Sequence, residues 1–449
     1  MTQQRTQKTA QPLWQPSDQI INASNIKGFV KQLENQLGLV FKGYQQLHQW
    51  SVDQPQLFWQ QIWQYCEIRS SQQADQVLVN GEQFPGAKWF SGARLNYAEN
   101  ALRNRSDKTA LISRLENGSR KTLSYDELYQ QVAECAAALR QSGVVAGDRV
   151  AGFMPNIPET VVAMLATASI GAIWSSCSPD FGINGVMDRF GQIEPKVLFG
   201  CDGYFYNGKT IDCMPRMKEI VSNINSIQQL VIVPLTGNSP VFEQIPTATL
   251  YSDFLISENT PPLVFEQLPF DHPLFIMYSS GTTGVPKCIV HSAGGTLIQH
   301  LKEQRLHTDL QEEDILFYFT TCGWMMWNWL VSGLASEATL VLYDGSPFHP
   351  QPASLIDMAE QEQVSIFGTS AKYIAALEKA GVKPSETHNL KNLKALLSTG
   401  SPLSHESFRY VYRDIKADLC LASISGGTDI LSCFVLGNPC LPVWEGEIQ

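Results

Sequence analysis

Residues Tyr278-Ser279-Ser280-Gly281-Thr282-Thr283-Gly284-Val285-Pro286-Lys287 gather four aliphatic hydroxyls, two glycines and a lysine into one short stretch. Glycines let backbone N–H groups close around a polyphosphate, and hydroxyls and an ammonium supply further donors. The stretch is not a Walker loop, which needs Gly immediately before the Lys; Pro286 stands there instead. A surface turn is the plain alternative, but so dense a set of donors favours phosphate binding, with ATP as the ligand. Two further polar stretches join it, Ser398-Thr399-Gly400-Ser401-Pro402 and Ser425-Gly426-Gly427-Thr428-Asp429. In the latter, a hydroxyl beside a carboxylate suits phosphate contact and Mg²⁺ ligation, since Mg²⁺ takes one or two carboxylates and otherwise substrate phosphates. Each of these two, taken alone, reads more readily as a structural turn.

The elements that must position these stretches are short apolar runs. Residues 273–277 precede the first stretch, 395–397 the second and 419–422 the third. Similar runs at 149–154, 197–199, 230–233, 315–319, 340–343 and 364–367 read as strands. Helical patterns lie between them at 355–362, 371–379 and 404–412. Ser124 and Glu127 form a capping box for a helix that buries Leu128, Val132, Cys135 and Leu139 and stops at Gly143. Residues 159–170 read as a buried helix. This alternation predicts an α/β fold of βα-layered subdomains with mostly parallel sheets, whose ligands sit beyond the carboxyl ends of the strands. Residues 1–105 are rich in Gln and Trp with helical spacing and predict an N-terminal helical extension; 106–449 form the main domain.

Composition narrows the function classes. The chain has 449 residues, 44% of them hydrophobic, and a formal net charge of −11 without any Lys/Arg-rich run, which disfavours nucleic acid as a partner. Its ten cysteines include no C-x-x-C pair and read as buried free thiols of a reducing compartment. No H-E-x-x-H spacing occurs. Residues 1–14 lack an apolar core for a secretory signal, and the longest apolar stretch, 161–174, is too short to span a bilayer. The expectation is a cytoplasmic protein with small-molecule partners and no membrane association; the sequence sets no oligomeric state.

The order of the three polar stretches resembles the adenylate-forming acyl-CoA synthetase superfamily. Trp89-Phe90-x-x-Ala93-x-Leu95-Asn96-Tyr97-Ala98-Glu99-Asn100 is similar to the N-terminal extension of its acetyl- and acetoacetyl-CoA-forming members. The likeness runs from about residue 40 to the end. Pro286 to His291, Gly323 to Asn328 and Ser425 to Asp429 are most similar to the acetoacetate-activating branch. The resemblance implies the large N-terminal domain of adenylate-forming enzymes and an AMP-forming ligase that joins acetoacetate to coenzyme A with ATP and Mg²⁺. It places Ser279, Ser280, Gly281, Thr282, Thr283, Gly284 and Lys287 over the ATP β- and γ-phosphates, and Gly400, Ser401 and Pro402 against adenine. Thr428 falls on the α-phosphate and Asp429 on the Mg²⁺ carboxylate, where the wider family usually has Glu. Lys287, Thr428 and Asp429 are thereby the implied catalytic residues.

The resemblance also puts Trp324, Gly426 and Gly427 at the acyl pocket. Acetyl-CoA-forming members carry Trp two residues before the equivalent of Thr428; Gly426 here leaves room for a longer acid. Met325, Met326 and Trp327 belong either to the pocket wall or to the core. His291 and His300 are either acid–base groups or hydrogen-bonded structural histidines. Family members continue past the point where this chain ends, through a ribose-binding Asp, a hinge and a C-terminal lid bearing a Lys. The resemblance therefore implies a truncated chain without its lid, ending inside a sheet over 442–449. Two alternatives accompany the acetoacetate ligase: an impaired ATP- and acyl-binding fragment, and a ligase for acetate, propionate or butyrate.

Overall fold

A computed structural model describes residues 11–449, apart from 238–239, 241, 243–244 and 280–283. Two seven-stranded sheets dominate the described residues. The first runs Ala248–Leu250, Gln229–Val233, Val197–Cys201, Arg149–Phe153, Ile173–Cys177, Pro273–Ser279 and Lys287–Ser292. The second runs Cys420–Ser423, Ala395–Thr399, Ile366–Ser370, Ile315–Tyr318, Thr339–Asp344, Thr109–Leu115 and Arg120–Ser124. Every pairing is parallel except the last of each sheet, which is an antiparallel edge. Strands such as Val197–Cys201 are buried at every position, as expected where helices cover both faces of a parallel sheet.

Two helices lie at the centre. Tyr125–Gln141 opens on the Ser124/Glu127 capping box and buries Leu128, Val132, Cys135 and Leu139. Pro158–Ile170 is buried almost all round, so its polar side chains bond to its own turns: Thr167 Oγ1 donates to Ala163 O and Ser169 Oγ to Ala166 O, each at 2.7 Å. Gly171, at φ 80°, ends it in the left-handed conformation.

The N-terminal helices Asp18–Ala23, Asn25–Leu37, Tyr44–Asp53 and Pro55–Tyr65 pack on this body. Aromatic rings stack from Trp63 to Phe90 and on to Phe270, with centroids 4.7 and 4.9 Å apart. Asn96 pins the following segment: its Oδ1 accepts from Ala98 N, while Nδ2 donates to Ala168 O, Ser169 O and Glu266 O. Tyr97 OH lies 2.6 Å from Ser332 Oγ, deep in the main domain.

Three expectations need adjustment. The strand placed over 364–367 is Ile366–Ser370, because Val364 closes the preceding helix by donating to Ala359 O. The helix over 404–412 is His405–Tyr410 and continues as a π-helical turn, Val411–Ile415. Residues 442–449 are not inside a sheet; Val443 makes only an isolated antiparallel bridge to Trp14. All ten cysteines are free and eight are buried as expected, while Cys440 is half-buried and Cys288, on the edge strand, is exposed. Among the described residues no helix is long and apolar enough to cross a membrane.

Candidate functional site

The three polar stretches emerge from the carboxyl ends of parallel strands. Pro273–Ser279 leads into the first, and the chain returns as Lys287–Ser292, with Ser279 paired to Lys287. Ser280, Gly281, Thr282 and Thr283 lie outside the described residues. Around them, Gly284 adopts φ 95° and Lys287 is exposed. Gln192 Nε2, on helix Ile183–Ile193, donates to Pro286 O at 2.8 Å and fixes the returning limb. Ala395–Thr399 leads into Gly400, Ser401 and Pro402, all exposed, with Gly400 at φ 86°. Ser404 then caps the next helix by accepting from Ser407 N.

The third stretch is not a simple turn. Ser425–Gly427 is itself a short strand that pairs antiparallel with Ser432–Val435, and Thr428 and Asp429 stand at the tip of this hairpin. His291 joins the first and third stretches: its Nε2–H donates to Thr428 O at 2.7 Å. Burial holds its imidazole below the usual histidine pKa, which keeps it neutral near pH 7. His291 therefore positions the hairpin backbone, and its nitrogen is committed to that bond.

Gly426 has a backbone reason to be glycine beside the pocket-size expectation. A Cβ built there would sit 2.8 Å from Cys433 Cα and nearer still to Ser432 O, on the facing strand. A side chain at 426 would push the hairpin apart before it lined a pocket. At Gly427 nothing lies within 4 Å of such a Cβ, so the open space is there.

Trp324 is 60% exposed and stands at the N-cap of helix Met325–Val331. Met326 and Trp327 are buried, and Trp327 Nε1 donates to Asn156 Oδ1 at 2.9 Å, so these two serve the core. Gly323 approaches the segment that follows strand Ile173–Cys177, where a Cβ would meet the Phe181 ring at 2.8 Å. Ser176 Oγ donates to Cys322 O at 2.7 Å across the same junction. The two sheets thus meet where their strands end.

Sequence reasoning missed the buried polar layer beneath the hairpin. His300 is fully buried; its Nε2 lies 2.7 Å from Leu431 O and its Nδ1 2.7 Å from Ser332 Oγ. A carbonyl can only accept, and burial lowers the His300 pKa, so Nε2 carries the hydrogen and Nδ1 accepts from Ser332. Glu303, also fully buried, accepts from Ser432, Cys433, Gln299 and Trp329. The only signal in the sequence was a polar face, Gln299, His300 and Glu303, on an otherwise apolar helix.

Parallel sheets whose strands end in these polar stretches define an α/β domain of the kind that takes ligands beyond the carboxyl ends of its strands. The chain belongs to the AMP-binding enzyme family, whose model matches residues 98–430. A second model, acetyl-coenzyme A synthetase N-terminus, matches residues 44–101. The chain is 53% identical to acetoacetyl-coenzyme A synthetase of Rhizobium meliloti, covering 98% of this chain and 67% of that one. It is 48% identical to acetoacetyl-CoA synthetase of Gallus gallus, again over 98% of this chain and 67% of the relative. Among solved structures, acetoacetyl-CoA synthetase from Streptomyces lividans superposes with a TM-score of 0.93 at 44% identity, covering 98% of this chain and 68% of that one. The chain thus spans about two thirds of the length of these relatives.

Proposed function

We propose that the chain is an ATP-dependent acid–thiol ligase that converts acetoacetate and coenzyme A to acetoacetyl-CoA, releasing AMP and pyrophosphate. The observation that carries this reading is the junction itself. His291 joins the strand that begins at Lys287 to the Thr428–Asp429 tip, and the Gly400 to Pro402 turn leaves the strand paired with the one that leads into that hairpin. Sequence identity to acetoacetyl-coenzyme A synthetases supports the choice of acid.

In the first half-reaction a carboxylate oxygen of acetoacetate attacks the ATP α-phosphorus. The α–β bridging oxygen departs with pyrophosphate, leaving acetoacetyl-adenylate. In the second half the thiol of coenzyme A attacks the acyl carbon, loses its proton, and AMP leaves. No protein nucleophile is required; positioning and charge neutralisation lower the barrier. Ser279, Ser280, Gly281, Thr282, Thr283, Gly284 and Lys287 hold the β- and γ-phosphates. Gly400, Ser401 and Pro402 lie against adenine, and Thr428 meets the α-phosphate. Trp324 and Gly427 border the acyl group, with Gly426 setting the hairpin behind it.

Among the described residues no group of three or more His, Cys, Asp or Glu side chains converges, so a metal cage built from protein alone is absent. An exposed Asp429 beside a phosphate site fits Mg²⁺, which bound there supplies charge neutralisation of the phosphates. We assign residues 1–105 to an extension that braces the site and 106–449 to the adenylating unit.

The test is acid-dependent ATP–pyrophosphate exchange with acetoacetate, acetate, propionate and butyrate side by side. Exchange strongest with acetoacetate is the expected result. A stronger signal with another acid replaces the substrate, and no signal with any acid favours a binding fragment over a ligase.

A further inference from the structure

Helix Ala293–Lys302 widens at its end into a π-helical turn, Glu303–His307. Such bulges recur at functional sites because they displace side chains from the regular register. The first residue of this turn, Glu303, carries a buried carboxylate. Four neutral groups donate to it, and the neighbouring Lys302 ammonium lies close enough to interact with its charge. Oε1 accepts from Ser432 Oγ at 2.5 Å, Cys433 N at 2.9 Å and Gln299 Nε2 at 3.1 Å, and Oε2 accepts from Trp329 Nε1 at 3.0 Å. Both oxygens of this buried carboxylate act as acceptors, and desolvating such a group is costly unless those bonds are kept.

Those donors belong to two different parts of the site. Ser432 and Cys433 lie on the return strand of the hairpin that carries Thr428 and Asp429. Trp329 lies on the helix whose N-cap is Trp324. Next to it, Gln304 Nε2 donates to Trp329 O at 2.6 Å. His300 spans the same gap one turn earlier, between Leu431 O and Ser332 Oγ.

We propose that Glu303 is a positioning residue whose buried carboxylate locks the Thr428–Asp429 hairpin to the Trp324 helix, so that the nucleotide and acyl parts of the site share one geometry. The inference rests on the ligase reading above and assigns the acid no direct contact with substrate.

Glutamine is the sharpest probe. It keeps the volume, but its NH₂ faces either Trp329 Nε1–H or the Ser432, Cys433 and Gln299 donors, so one arm is lost. Trp329→Phe and Ser432→Ala remove single donors from opposite arms and decide the matter if Glu303→Gln does not fold. Hydrogen exchange of the full chain, read at residues 325–331 and 431–435, is measured beside MgATP binding and the pyrophosphate-exchange assay. Glu303→Gln should speed amide exchange in both segments together. It should also lower the pyrophosphate-exchange turnover by at least about tenfold, with a smaller change in acetoacetate KM. Ser432→Ala and Trp329→Phe should each do less, and together less than the sum, since both act through one carboxylate.

Loosening of only one segment or of neither, or full additivity of the two single variants, overturns the proposal. Amide exchange needs no turnover, so the two readings fail separately. A lost lock in a protein whose wild type shows no acid-dependent activity refutes the ligase and leaves the lock standing.

Discussion

Gly426 and Gly427 are adjacent, and a methyl group added to each should have opposite consequences. At 426 the new Cβ lies 2.8 Å from Cys433 Cα, whereas ordinary contact begins at 3.4 Å, so the facing strand must retreat by at least 0.6 Å. Both obstacles are backbone atoms, which cannot swing away as a side chain would. Overpacking against rigid neighbours costs about 1–3 kcal/mol. Retreat also strains the Cys433 N bond to Glu303 and the Gly426 to Cys433 pairing, each worth on the order of 1 kcal/mol. A total near 2–3 kcal/mol, carried by the hairpin that presents Thr428 and Asp429, amounts to roughly a 30- to 150-fold loss in acid-dependent ATP–pyrophosphate exchange. Gly427→Ala meets nothing within 4 Å and should stay within about threefold of wild type. Gly426→Trp tests the same geometry against the pocket-size reading. If the glycine serves the hairpin, the Trp variant loses activity with acetate as well as acetoacetate. If it serves only pocket size, the variant turns into an acetate-activating enzyme. That second outcome, or equal damage from Gly426→Ala and Gly427→Ala, refutes the reasoning.

Three further outcomes follow from the same geometry. Lys287 is exposed and makes no ion pair among the described residues, so Lys287→Met should leave the thermal midpoint nearly unchanged while cutting acid-dependent exchange on the order of 100-fold; retained exchange removes Lys287 from the phosphate site. Burial depresses the His300 pKa, so below about pH 6.5 the unfolded chain takes up a proton that the folded chain refuses. Stability should fall with pH there by up to about 1.4 kcal/mol per unit from this residue, and His300→Gln should flatten the slope of melting temperature between pH 7 and pH 5; an unchanged slope excludes the residue as its source. Asn96 donates to three backbone carbonyls through one amide, so Asn96→Ala should cost about 3 kcal/mol in denaturant unfolding. Asn96→Asp should cost more, because it sets a carboxylate oxygen against the same carbonyls; the reverse order would assign the stabilisation to the helix cap instead.

What the sequence revealed and concealed divides along a physical line. Pro158–Ile170 was legible because continuous apolar character has one solution, burial on all sides, and Tyr125–Gln141 because its cap is local chemistry. The strand exits were legible for the same reason: Val-, Ile- and Leu-rich runs stop at Gly, Ser and Thr within the span of one turn. Lys287–Ser292 was not, since an edge strand with Lys287, Cys288 and Val290 exposed shows no alternation to read. Ser425–Gly427 reads as a turn because its strand character comes wholly from backbone pairing with Ser432–Val435. Glu303 was the most concealed. In the sequence Gln299 and Glu303 carry no motif, and His300 reads as either an acid–base group or a hydrogen-bonded structural histidine. They are buried only because the strand carrying Ser432 and Cys433, about 130 residues later, arrives on top of them. A π-helical turn then shifts the register, so that the i, i+4 template misplaces the side chains that follow. Local periodicity reports which face is polar; whether a polar face meets water or a second set of donors is decided by long-range pairing. At this site that difference separates a surface carboxylate from one that holds two parts of the site together.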